Sequence, residues 1–118
     1  MIHEEICTYE VAKLAKDKGF PLQKVIKQDG RAFFYELPQS HHDWANCDAW
    51  YLPTQSLLQK WLREEKRMHI TIPFDSSGFW WEIKNLRTMD IEYGEALDFD
   101  TYELALKDAL KYALENLV

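Results

Sequence analysis

Residues 53–117 carry the clearest pattern of apolar and polar positions. From Pro53 to Glu65, Leu57, Leu58, Trp61 and Leu62 recur at i, i+1, i+4 and i+5, the stripe of a helix with one core-facing side. Thr54 is placed to cap its start, and Lys60, Arg63, Glu64 and Lys66 lie on the wet side. The period then drops from about 3.6 to 2. Ile70, Ile72 and Phe74 alternate with His69, Thr71 and Pro73. After a turn at Asp75-Ser76-Ser77-Gly78, Phe79, Trp81 and Ile83 alternate with Trp80, Glu82 and Lys84. A loop at 75–78 pairs Phe74 with Phe79, Ile72 with Trp81, and Ile70 with Ile83, so all six share one face that helices must cover. Trp80 then falls on the opposite face beside Thr71, Glu82 and Lys84. A last helix runs from Thr101 to about Leu117. Asp100 with Glu103 forms a capping-box-like start, and Thr101 is an alternative cap. Its alanines at 105, 109 and 113 form an i, i+4, i+8 row that lets a neighbouring element approach closely.

The first half is patterned less regularly. Thr8 caps a short helix with Val11, Leu14 and Ala15 on its buried side, Gly19 ends it, and Pro21 keeps it ended. Asp29-Gly30 sits between Val25-Ile26-Lys27 and Ala32–Leu37, which signals a hairpin. Residues 38–52 follow no period, and their length is unusual for a structureless loop inside a domain. The order helix, hairpin, helix, hairpin, helix, with no βαβ rhythm, predicts a single α+β domain over residues 1–118. Its antiparallel sheet has about three helices packed mainly on one face.

The parts that carry this pattern are the Tyr9–Phe20 helix ending Lys-Gly-Phe and the run from Pro53-Thr54 through Gln59-Lys60-Trp61-Leu62-Arg63-Glu64. The Ile70-x-Ile72 and Trp81-x-Ile83 strands and Tyr102-Glu103-x-Ala105-Leu106 with its Ala109-Leu110 and Ala113-Leu114 repeats complete it. Together they resemble small uncharacterised proteins associated with phages and mobile elements of gut bacteria. The resemblance covers most of the chain outside 38–52. It implies a mobile-element origin, and it brings neither an activity nor site residues.

Composition narrows the function classes. Of the 118 residues 47% are hydrophobic and 14% aromatic, enough for one core without metal or disulfide staples. No apolar run of about 18 residues occurs, so no membrane span is expected. The polar start Met1-Ile2-His3-Glu4-Glu5 does not read as a signal peptide, which points to the cytoplasm, where Cys7 and Cys47 are expected as free thiols. The net charge of −6 is local: residues 1–89 hold 12 acids and 12 bases, whereas 90–118 hold 8 and 2. Asp90, Glu92, Glu95, Asp98 and Asp100 form a run without a base, read first as a solvated connector. It repels phosphate backbones and favours basic partners, so nucleic-acid binding is disfavoured. A nucleic-acid mimic built on these acids fits only a mobile-element context.

Four constellations could carry chemistry. His41, His42, Asp43, Cys47 and Asp48, with His3 and His69 elsewhere, are metal-ligand types, but adjacent histidines lack chelating spacing and no C-x-x-C or H-x-x-x-H is present. Cys47 beside His41 or His42 could be a nucleophile, against the ordinary reading of an incidental thiol. The 90–100 acids lack the order of an EF-hand loop. Trp80, Trp44, Trp50, Tyr51 and Phe34 exceed what the core stripes need, and Trp and Tyr anchor interfaces. The ordinary alternative is that the 38–52 loop folds back and these rings cover the second face of the sheet.

The reading is therefore a small cytoplasmic, non-enzymatic interaction or accessory domain without a cofactor. It acts on a protein partner or on a second copy through Trp80, Trp44, Trp50 and Tyr51. The alternative is an enzyme or a small-ligand or metal binder that uses the 38–52 loop over a cleft. If that loop is only a surface, zinc leaves the melting temperature unchanged. A saturable, chelator-reversible rise that disappears in a His41→Ala, His42→Ala variant would establish a metal site instead.

Overall fold

A computed structural model describes residues 4–21, 24–25, 49–50 and 52–118. The described elements are α1 (Tyr9–Asp17), β1 (Lys24–Val25), β2 (Ala49–Trp50), α2 (Gln55–Glu65), β3 (Met68–Thr71), β4 (Phe74–Asp75) and β5 (Gly78–Phe79). They continue with β6 (Glu82–Asn85), β7 (Ile91–Tyr93) and α3 (Tyr102–Tyr112), which runs into a π-helical turn at Ala113–Leu117. The fold is α+β, as the patterning predicts. The hairpin expected around Asp29-Gly30 lies outside the described residues. What is described there is an antiparallel pairing of β1 with β2, Lys24 opposite Trp50.

The helices α1, α2 and α3 each begin on a threonine in extended backbone whose hydroxyl takes up an otherwise unpaired amide. Thr8 Oγ1 accepts from Val11 N, Thr54 Oγ1 from Leu57 N at 3.2 Å, and Thr101 Oγ1 from Leu104 N at 3.1 Å. Thr101 rather than Asp100 is thus the cap of α3. Beyond α1, Gly19 takes φ +102°, a left-handed conformation open to glycine at little cost. Among the described helices, α1 and α2 both pack on α3, and α2 also packs on β3. The close approach rests on small residues: Ala12, Ala15, Ala105, Ala109 and Ala113 are fully buried.

On α2 the buried stripe is Gln55, Leu58 and Leu62. Leu57, expected in that stripe, is 52% exposed, because it lies one residue, about 100°, round the helix from Leu58. Gln55 replaces it, only 5% exposed, with Nε2 donating to the Glu103 carbonyl at 3.0 Å. This bond and the one from Gln59 Nε2 to the Ile70 carbonyl tie α2 to α3 and to β3.

The main sheet is antiparallel in the order β3-β6-β7. Ile70 faces Ile83 across β3 and β6, and Phe74 faces Phe79 across β4 and β5, as the alternation predicts. The ladder ends at Thr71–Glu82 and resumes at Phe74–Phe79, so the tip is a separate two-residue ribbon. Phe79 exchanges backbone hydrogen bonds with Phe99 and meets the Tyr102 ring edge-on. Phe74, expected on the buried face, is 72% exposed at this tip and meets Phe79 at a tilt. The rest of the face behaves as expected: Ile70, Trp81 and Ile83 are buried and Ile72 is partly buried against the core.

The strand β7 is the main departure. Part of the expected acidic connector is instead the third strand of the sheet, pairing Ile91 with Lys84 and Tyr93 with Glu82. The turn before it is held by Asn85, whose Oδ1 accepts from Arg87 N and Thr88 N.

Trp81 joins all these parts. Its ring is buried, its Nε1 donates to Asp108 Oδ2 on α3 at 2.8 Å, and the Tyr112 ring lies 5.0 Å away. The Tyr112 hydroxyl donates in turn to Glu92 on β7. Gly94 closes the seat: a Cβ there would lie 2.6 Å from the indole Cε2 and Nε1. Gly94→Ala is therefore expected to destabilise the chain by about 1–3 kcal/mol through overpacking, and Trp81→Ala by about 3–5 kcal/mol through loss of a buried ring. Urea unfolding followed by circular dichroism measures both, and a neutral Gly94→Ala would contradict the close approach.

Candidate interaction surface

Strand alternation sorts the main sheet into two faces. Met68, Ile70, Trp81 and Ile83 point into the core. By parity His69, Thr71, Glu82, Lys84, Ile91 and Tyr93 project from the opposite face, with Trp80 on the same side. All three described helices belong to the core side. Two residues on the outer face are large, apolar and open to water: Ile91 is 45% and Tyr93 59% exposed. Trp80, expected to stand free, is half-buried, and its backbone N–H donates to the Pro73 carbonyl at 3.1 Å. On this face Trp80 is joined by the exposed Ile91 and Tyr93. Their signal was the alternation Ile91-Glu92-Tyr93, which the surrounding acids obscured.

The edge of this face is acidic. Asp90, Glu92, Glu95, Asp98 and Asp100 are all exposed. The bases on β6 and in the turn before β7 are the half-buried Lys84 and the exposed Arg87. Burial and the Glu92 carboxylate raise the pKa of the Tyr112 phenol, so it stays protonated and keeps donating to Glu92.

A second concavity lies on the outer side of α2. Phe20, Pro21, Leu52, Pro53, Leu57 and Trp61 line most of a groove of about 560 Å³. Phe20 meets Trp61 edge-on with centroids 5.3 Å apart, and Lys66 Nζ lies 5.4 Å from the Trp61 ring centre. Leu52 is the last residue of the 38–52 segment, which the sequence offers as a cover for a cleft. The ionisable groups on the groove wall, among the described residues, are Lys60, Glu64 and Glu65.

Trp44, Tyr51, His41, His42, Asp43 and Cys47 lie outside the described residues. Trp50 lies in β2, opposite Lys24. Among the described residues, no three His, Cys, Asp or Glu side chains are grouped so as to hold a metal ion. Among them too, no helix is long and apolar enough to cross a membrane. No family model matches the chain, and comparisons with curated proteins and with solved structures give no significant match.

Cys7 is the described cysteine and is buried, 4% exposed. Removal from water pushes its thiol from the ordinary 9.0 up to about 12, so it is no nucleophile at neutral pH. In a Cys47→Ser background, Ellman's reagent should modify Cys7 roughly a hundredfold or more slowly in the folded chain than in urea. Between pH 9.0 and about 12 the unfolded chain loses the Cys7 proton first, so the folded chain binds more protons there. The Cys7 contribution is thus full below that window and is lost as pH rises through it. Fast labelling of the native chain would show that the thiol is open.

Proposed function

We propose that the chain is a non-enzymatic interaction domain of the cytoplasm that meets a protein partner through the outer face of its sheet. One observation carries this reading. Ile91 and Tyr93 stand exposed side by side on a face that no described helix covers, with Trp80 half-buried on the same side. Aromatic and aliphatic side chains rimmed by Glu82 and Lys84 match the apolar centre and polar border of protein interfaces. The role as an accessory protein of a mobile element is supported by the sequence resemblance.

A second reading is supported by the apolar groove on α2. Its size suits a small molecule, and apolar clefts with a few polar wall groups are common ligand sites. This reading makes the chain a small-ligand binder with Trp61 and Leu57 as the contact surface.

A photo-crosslinking residue placed at position 93, at position 57, and at the remote exposed position 115 separates the two readings. The expected result is a discrete crosslinked polypeptide from position 93 and none from 57 or 115. The double variant Ile91→Ser, Tyr93→Ala should weaken that association by at least about tenfold, the loss typical of interface anchors, while its melting temperature stays near wild type. Polypeptide crosslinks absent at 93, or an affinity for the crosslinked partner unchanged in the double variant, would overturn the interaction reading.

A further inference from the structure

We propose that the free edge of β7 receives an extended segment of the partner protein in which apolar and basic residues alternate. This rests on the interaction reading above and names the partner's chemistry. Among the described residues β7 pairs on one side, with β6, and lies at the end of the sheet order. Such an edge carries unpaired N–H and C=O groups that template another strand.

The side chains along β7 specify what that strand must be. A strand added beside β7 places its side chains in register with those of its neighbour, alternating between the two faces. On the outer face its neighbours are Ile91 and Tyr93, 45% and 59% exposed, which call for apolar residues. On the helix side the neighbours are Asp90 and Glu92, both exposed carboxylates, which call for lysine or arginine. Beyond the strand, Glu95 and Asp98 continue the negative field, with Leu97 56% exposed between them.

The same charges decide against a second copy of this chain as the occupant. Two β7 edges laid together would bring the helix-side Asp90 and Glu92 of each against those of the other, and like charges across a strand pair repel. The acids therefore discourage self-pairing at an edge that is otherwise competent to pair, and select a basic segment.

The test uses the full chain and fluorescence anisotropy with a short labelled peptide alternating lysine with valine and isoleucine. Two control peptides replace every lysine by glutamate or carry N-methyl groups on the amides facing the edge. The lysine peptide should bind saturably, and both controls should lose binding by at least about tenfold. Glu95→Lys with Asp98→Lys should weaken the lysine peptide by a similar factor. The milder Glu95→Gln with Asp98→Asn should give an intermediate loss, with circular dichroism and melting temperature confirming that both variants fold. No binding of the lysine peptide overturns the proposal, as does equal binding of the N-methylated or the glutamate peptide. Self-association that disappears in Ile91→Ser, Tyr93→Ala would also overturn it, since the occupant would then be a second copy. If position 93 crosslinks to a polypeptide while the peptides fail, only the strand-addition proposal falls. If both fail, the interaction reading falls as well.

Discussion

The seat of the Trp81 indole holds the sheet to its helices. The ring is buried between β6 and α3, its N–H satisfied by Asp108 and its face covered by Tyr112. A buried indole without an acceptor would be costly, so the Asp108 bond fixes where α3 can lie relative to the sheet. Tyr112 passes the constraint on to β7 through Glu92, and Gly94 lets the chain leave β7 directly against the ring. The third strand, the last helix and the exit of the acidic segment therefore share one packing solution.

That solution puts every described helix on one side and leaves the other face of the sheet with Ile91 and Tyr93. The described core does not include them: Val11, Leu58, Leu62, Ile70, Ile83, Leu106, Leu110 and Leu114 are buried on the helix side. These large apolar residues, on a strand edge flanked by acids, are the feature on which the proposed partner contact rests. The carboxylates on the same edge are the basis for proposing that this partner is basic.

Much of the fold was legible because local and tertiary signals agree. Thr8 and Thr54 were read as caps from chain position alone, and both accept the expected amide. The pairings Ile70 with Ile83 and Phe74 with Phe79 follow from a four-residue loop and a period of two. Leu57 and Phe74 were misplaced for related reasons. Hydrophobicity marks them as candidates for burial, but burial needs a covering neighbour, and the described residues leave Phe74 at the ribbon tip and Leu57 on the outer side of α2 exposed. β7 was missed because three alternating residues inside an acidic run give a weaker signal than the run itself. Gln55 shows the converse: a polar residue is buried because Glu103, distant in sequence, offers its carbonyl.

The sequence by itself determined the class of the fold, the capped starts of α1 and α2, the register of the central hairpin and the acidity of residues 90–100. These depend on spacing and side-chain chemistry within short stretches. Only the tertiary structure decided that an acidic stretch pairs as a third strand, that Trp81 is seated by Asp108, Tyr112 and Gly94, and that Ile91 and Tyr93 rather than Trp80 alone stand exposed on the outer face. Each of those outcomes rests on a contact between residues far apart in the chain. Whether such a contact forms depends on how every other element packs, and a local pattern does not carry that information.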